Sequence, residues 1–285
     1  MQDAYSCPWQ HHLPQNLQNY QLNLETLHQN LAELSTLNAA RYPEHTAMSI
    51  VLANGLSHSL SFAQLDQYAT ALANYLQQHL QLNAGDVVAL QLPNSLHYPI
   101  AVFACWKVGL IISNVNPLYT ARELDYQVQD SGAKALIVCD LFLNTFEQVL
   151  AKNIQLQHLQ LITTNLSDFF AEPYQSAIAQ KLALDAQTQQ RSQQPSINYS
   201  TFVDAMRIGA DLPRYQAQSH NIAAYQYTGG TTGRSKGAII SHQNLAALIT
   251  TTRDYLHSFK SQFNQDDVIL TAIPLYHIFA FTVNF

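Results

Sequence analysis

Tyr227-Thr228-Gly229-Gly230-Thr231-Thr232-Gly233-Arg234-Ser235-Lys236-Gly237 decides how this chain is read. Four glycines and four small hydroxyl residues fall within eleven positions and lead to one lysine. Residues 221–226 before it are apolar enough for a strand. Residues 238–241 after it, Ala-Ile-Ile-Ser, are short and β-branched and read as another. The stretch is therefore a loop between two strands. Glycine allows a backbone with positive φ and leaves N–H groups unobstructed. Consecutive free N–H groups make a concave anion site. Threonine hydroxyls add donors, and Lys236 adds a positive point charge suited to phosphate. The local chemistry is that of a polyphosphate cradle.

Three other readings compete. A plain glycine hairpin explains the glycines but neither the hydroxyls nor the lysine. A P-loop needs G-x-x-x-x-G-K-[ST] opening a helix; here Lys236 follows Ser235, precedes Gly237 and leads into a strand. Gly233-Arg234-Ser235-Lys236-Gly237 matches the G-x-S-x-G of serine hydrolases. That motif requires a sharp strand-to-helix turn at the serine, and the next segment does not read as a helix.

Working outward, Pro274-Leu275-Tyr276-His277-Ile278 lies downstream. Asn114-Val115-Asn116-Pro117-Leu118-Tyr119-Thr120-Ala121-Arg122-Glu123-Leu124 lies upstream. Taken with the loop, these three segments resemble the AMP-forming acyl-CoA synthetases of the adenylate-forming superfamily, and most closely the bacterial long-chain fatty acid–CoA ligases. The likeness runs over residues 24–285 and is weakest over 166–221. It implies attack of a carboxylate on the α-phosphate of ATP with loss of pyrophosphate, then transfer of the acyl group to the thiol of coenzyme A. It implies ATP, Mg2+ and coenzyme A as the small molecules bound. Thr228, Gly229, Gly230, Thr231, Thr232, Gly233 and Lys236 match the family's phosphate loop, and Thr228 a threonine near the magnesium. His277 matches a histidine beside the adenylate. Lys236 and His277 are thus the implied catalytic pair. The family's common form carries a proline before the lysine, where this chain has Arg234-Ser235, a change expected to loosen the loop. The resemblance implies a cytoplasmic enzyme and leaves open a peripheral contact with the inner membrane.

Composition agrees with a cytosolic globular protein. At 285 residues the chain is long enough for a sizeable core, and 47% of it is hydrophobic. Only 11% is Asp, Glu, Lys or Arg, well under the usual quarter or so. A net charge of −6 offers no basic face for nucleic acid. Cys7, Cys105 and Cys139 are scattered, which excludes a disulfide framework or a zinc site. No histidine has metal-ligand spacing. The first fifteen residues lack a signal peptide's basic and apolar regions. The apolar stretch 98–115 contains Lys107 and Gly109 and reads as a buried helix and strand rather than a membrane span.

The remaining elements predict an α/β fold, mostly parallel sheets covered by helices. Residues 1–23 read as an extended lead-in. Leu24, Leu27, Leu31, Leu34 and Leu37 predict an amphipathic helix over 24–40, ended by Pro43. Asn54-Gly55 predicts a hairpin between strands 47–52 and 56–62. Helices are expected over 63–82, 96–108, 120–130, 142–152 and 241–256, and strands over 86–92, 111–115, 135–139, 158–163 and 267–272. Thr120 and Glu123 form a capping box, and Ser241 is an N-cap. Residues 166–220 read as an insertion, its glutamine-rich part mobile, and 200–207 as one or two helical turns. Phe279 and Phe281 are candidates for an acyl tunnel or for ordinary core. With the apolar run to Phe285, residues 24–285 read as an N-terminal fragment of a larger adenylation domain, inactive alone and without a Tyr-Gly-x-Thr-Glu segment, which in the family supplies a magnesium ligand; the alternative is a non-catalytic nucleotide-binding half that pairs with a second chain.

Overall fold

The computed structural model describes residues 10–284, except 19, 154, 155, 157, 188–198, 229–233 and 260–266. In chain order the elements are α1 (Glu33–Arg41), β1 (Thr46–Val51), β2 (Ser57–Ser61), α2 (Phe62–Asn74), β3 (Val87–Gln91), α3 (His97–Lys107), β4 (Ile111–Asn114), α4 (Ala121–Ser131), β5 (Ala133–Cys139) and α5 (Leu143–Lys152). They continue as β6 (Gln160–Thr164), α6 (Tyr174–Gln187), β7 (Tyr199–Thr201), α7 (Phe202–Asp211), β8 (Ile222–Thr228), β9 (Lys236–Ser241), α8 (His242–Phe259) and α9 (Ile278–Asn284).

Seven strands form one sheet in the order β7-β6-β5-β3-β4-β8-β9. Every pairing is parallel except β8 with β9. The central strands read as unbroken apolar runs because both faces are covered. Val88 and Leu90 of β3, with Ala135, Ile137 and Cys139 of β5, meet α2, α3, α7, α8 and α9 on one face. Ala89, Leu136 and Val138 meet α4 and α5 on the other. The helix after β3 lies on the first face and the helix after β4 on the second. The chain therefore reverses its winding between these two strands. In such sheets ligands bind at the carboxyl ends of the strands beside that reversal.

Local signals hold where they were strong. β1 and β2 pair antiparallel across Gly55, whose φ is 83°. Thr120 Oγ1 accepts from the Glu123 N–H and the Glu123 carboxylate accepts from the Thr120 N–H. Gly132 ends α4 at φ 65°. Ser241 and Asn244 cap α8 reciprocally, at 3.0 Å each way. α3 is buried on every side, as the apolar stretch demanded.

Two expectations are corrected. The helix expected over 24–40 exists only from Glu33. Before it, Asn23 caps one 3-10 turn, Leu24–Thr26, and the Asn30 side chain accepts from the Ala32 N–H at 2.9 Å. Side-chain oxygens that bond nearby N–H groups divert the backbone from continuous helix. Only Leu27 and Leu31 of the leucine stripe are buried, and Leu24 and Leu37 are exposed. The strand expected over 267–272 is absent among the described residues. No strand lies beside that segment among the described residues, and the Ala272 N–H bonds the Leu270 carbonyl within it, at 3.1 Å. Instead Asn94 Nδ2 donates to the carbonyls of Thr271 and Ile273, at 3.2 and 3.1 Å. The segment from 200 onward exceeds its expectation, for α7 is a ten-residue helix capped by Thr201. Residues 188–198, where the glutamine-rich stretch falls, lie outside the described residues.

Candidate active site

β8 and β9 bring the ends of the quoted stretch face to face. Thr228, the last residue of β8, pairs with Lys236, the first of β9, and Tyr227 pairs with Gly237. Both Thr228 and Lys236 are exposed. β8 runs parallel to β4, so Thr228 lies at the carboxyl edge of the sheet. Gly229, Gly230, Thr231, Thr232 and Gly233, expected to contact phosphate, lie outside the described residues. Among the described residues no carboxylate pairs with Lys236.

Residues at the mouth are held from several sides. Ser235 Oγ donates to the Thr228 carbonyl at 2.8 Å, closing the base of the loop. The Tyr126 hydroxyl of α4 donates to the Ser235 carbonyl at 2.9 Å. The Tyr227 hydroxyl donates to Asp130 Oδ2 at 2.6 Å. Burial first, then the Asp130 carboxylate, pushes the Tyr227 phenol well above its ordinary value, so it remains a donor. A Cβ on Gly237 would meet the Tyr227 ring at 3.0 Å, so the absence of a side chain there lets that ring lie close over β9.

His277 stands in the turn before α9, exposed. Its Nδ1 accepts from the Phe279 N–H at 3.3 Å, and its carbonyl accepts from the Phe281 N–H at 2.9 Å. A core histidine bonded to a carbonyl is therefore excluded. The turn is joined to β8 because Gln226 Nε2 donates to the Tyr276 carbonyl at 3.1 Å. Asn114 Nδ2 donates to Gln226 Oε1 at 3.2 Å, and the Tyr98 hydroxyl to Asn114 Oδ1 at 2.6 Å. This buried polar chain runs from α3 through β4 and β8 to the histidine turn. Tyr119 lies near both parts of the site. Burial raises its phenol, and Ser235, Glu123 and Tyr276 all act on it. Phe281 is buried against Trp106 and Tyr98, whereas Phe279 is exposed. Phe281 is therefore core, and only Phe279 faces outward.

Sequence reasoning missed Tyr126, Asp130 and Gln226, and it quoted Tyr119 without giving it a role. The one available signal was position. Tyr126 and Asp130 follow the 114–124 segment on the same helix, four residues apart, which places them on one face.

The donor set suits a phosphate-bearing anion, since an exposed lysine and a hydroxyl face each other at the ends of a glycine-rich connection. It does not make a metal site unaided. Among the described residues no three His, Cys, Asp or Glu cluster, and Thr228 offers one hydroxyl. Magnesium is ordinarily held by carboxylates together with substrate phosphates, so Thr228 would be at most one partner to it.

Fold and hairpin together define an α/β protein that carries a glycine- and threonine-rich connection at the carboxyl edge of its sheet. A family model described as AMP-binding enzyme matches residues 36–285. The chain belongs to that family. A long-chain-fatty-acid–CoA ligase of Salmonella typhimurium is 35% identical over 263 residues, covering 90% of this chain and 44% of the relative. One of Haemophilus influenzae is 37% identical over 227 residues, covering 79% and 40%. The chain thus spans less than half the length of these curated relatives. Among solved structures, a long-chain-fatty-acid–CoA ligase from Archaeoglobus fulgidus superposes with a TM-score of 0.66 at 22% identity, over 90% of this chain and 45% of that one. The A-PCP didomain of a carboxylic acid reductase from Segniliparus rugosus, in complex with AMP, gives 0.67 at 15% identity, over 92% and 38%. These superpositions share the fold. No helix among the described residues is long and apolar enough to cross a membrane.

Proposed function

We propose that this chain forms the phosphate-gripping part of an enzyme that joins a long-chain fatty acid to coenzyme A through an acyl-adenylate. The reading rests on one observation above the rest: Thr228 and Lys236 face each other, exposed, at the mouth of a glycine- and threonine-rich connection. In the first step a carboxylate oxygen bonds to the α-phosphorus of ATP, and the bond to pyrophosphate breaks. Negative charge gathers on the departing phosphates, where a fixed cation such as Lys236 stabilises the transition state. His277 is assigned to the neighbourhood of the adenylate. The chain length of the acid rests on the names of the relatives. A hydrolase using Ser235 is disfavoured because Ser235 Oγ is bonded to the Thr228 carbonyl and a strand follows it directly.

Pyrophosphate release by the whole gene product, given ATP, magnesium, coenzyme A and palmitate, tests the proposal. Palmitate-dependent release is expected. Absence of release with palmitate and with shorter or aromatic acids rejects it, and labelling of Ser235 by an organophosphonate would favour the hydrolase.

A further inference from the structure

Among the described residues β9 is the last strand of the sheet and pairs with β8 alone. Its residues 236–239 are exposed, so packing does little to fix where Lys236 points. The hydrogen bonds at the mouth therefore matter more than they would in a central strand. Two of them come from one helix. Tyr126 and Asp130 are four apart on α4 and reach opposite ends of the connection. Tyr126 takes the β9 end through the Ser235 carbonyl, at 2.9 Å. Asp130 takes the β8 end through the Tyr227 hydroxyl, at 2.6 Å. The Tyr126 hydroxyl also lies 3.4 Å from Asp130 Oδ1, but its single proton serves the shorter contact. The Arg234 guanidinium sits 5.6 Å from the centre of the Tyr126 ring, a cation–π distance. The Tyr227 ring crosses β9 over Gly237.

We propose that Tyr126 and Asp130 are positioning residues for the phosphate grip: from α4 they clasp both ends of the β8–β9 connection and hold Thr228 and Lys236 opposite each other. The clasp replaces the packing that an edge strand lacks. It touches no substrate. It acts through the backbone at Ser235 and the ring of Tyr227, so its loss displaces Lys236 while leaving the sheet intact. The inference rests on the phosphate-binding reading for its purpose, and on contacts within the chain for its existence.

The test uses the whole gene product and the variants Tyr126→Phe, Asp130→Asn and Asp130→Ala. Tyr126→Phe keeps the ring beneath Arg234 and removes only the hydroxyl. It is expected to raise the KM for ATP about fivefold, the effect of one ordinary hydrogen bond, with the KM for palmitate and the Tm unchanged. Asp130→Asn, which keeps an acceptor for Tyr227, should retain the parent KM for ATP, and Asp130→Ala should not. Independently of activity, trypsin should cleave after the exposed Arg234 at least fivefold faster in Tyr126→Phe than in the parent. An ATP KM within twofold of the parent, together with unchanged cleavage, overturns the clasp. Equal rises in both KM values with a lowered Tm show a merely structural contact and overturn it too. If the parent releases no pyrophosphate, the functional reading fails, and the cleavage rates alone decide the clasp.

Discussion

Two lysines show how surroundings separate structure from chemistry. Lys107 is buried, and its ammonium donates to Asp66 at 2.7 Å and to Thr36 at 3.0 Å. Burial alone would raise the Asp66 carboxyl, but Lys107, Ser35 and Thr36 outweigh it and hold the group below its ordinary value. Asp66→Ala should therefore cost about 3–5 kcal/mol in chemical unfolding, because it strands a buried charge. Lys236, exposed and without a carboxylate partner among the described residues, has no such role to lose. Lys236→Ala should leave stability within about 0.5 kcal/mol. It should slow adenylation 10²- to 10³-fold, about 3 kcal/mol of transition-state stabilisation, with fatty-acid affinity unchanged. Normal adenylation by this variant would remove Lys236 from the site. His242 is one source of pH dependence. Its Nδ1 accepts from the Leu31 N–H at 3.3 Å, so the fold needs it neutral, and burial lowers its pKa to about 4. The unfolded chain takes up the proton near pH 6.5, so stability falls as pH drops from 6.5 towards 4. The full loss is on the order of 3 kcal/mol. Melting curves at pH 7 and 4.5 should show a smaller acid loss in His242→Gln than in the parent, and equal losses would refute the assignment.

At the scale of elements, what was legible in the sequence depended on whether the signal was local. The strands buried on both faces announced themselves as apolar runs, and the caps of α4 and α8 as short motifs. The helix at 24–40 misled because leucine spacing does not report that Asn23 and Asn30 bond their own neighbourhood. The strand at 267–272 misled because an apolar run becomes a strand only beside a partner. The Tyr126–Ser235 and Tyr227–Asp130 contacts span 109 and 97 residues, a separation no periodicity reveals. The turn between β8 and β9 was legible from its glycines and hydroxyls, and its contacts with α4 were not. α7 supplies a further case. A Cβ on Gly209 would lie 1.9 Å from the Ala71 carbonyl oxygen of α2. Asn74 Nδ2 donates to the Gly209 carbonyl at 2.9 Å, and Asn74 Oδ1 accepts from the Tyr215 N–H at 2.8 Å. Backbone meets backbone there, so Gly209→Ala must push α7 off α2. We expect a loss of about 3 kcal/mol or more by denaturant unfolding, above the usual range for overpacking. A loss under 1 kcal/mol would mean that the two helices are less closely apposed.

For the whole molecule, the decisive feature is where apolar surface meets solvent. The core is closed on both faces of the sheet, yet one region is not. Val268 is 92% exposed and Leu270 89%, with Ile269, Ile273 and Phe279 also outward. β9, an open sheet edge carrying the exposed Ile239, is a second such place. Contiguous apolar surface and an unpaired strand edge are the two common routes to self-association. The first is not guarded by charge, for the segment 268–273 contains none, and β9 carries charge only at its start, in Lys236. Residues 1–285 expressed alone should therefore associate at micromolar concentration, eluting ahead of a 31.9 kDa monomer on size-exclusion chromatography. The cause can be assigned by substitution. Val268→Lys with Leu270→Lys adds two charges to the most exposed positions and touches neither the core nor the β8–β9 mouth. The double variant should shift most of the protein to the monomer peak, while Ile239→Lys should contribute separately if the β9 edge also takes part. A parent chain that elutes as a sharp monomer, or a double variant that associates as strongly as the parent, would show that these surfaces do not govern its behaviour in solution.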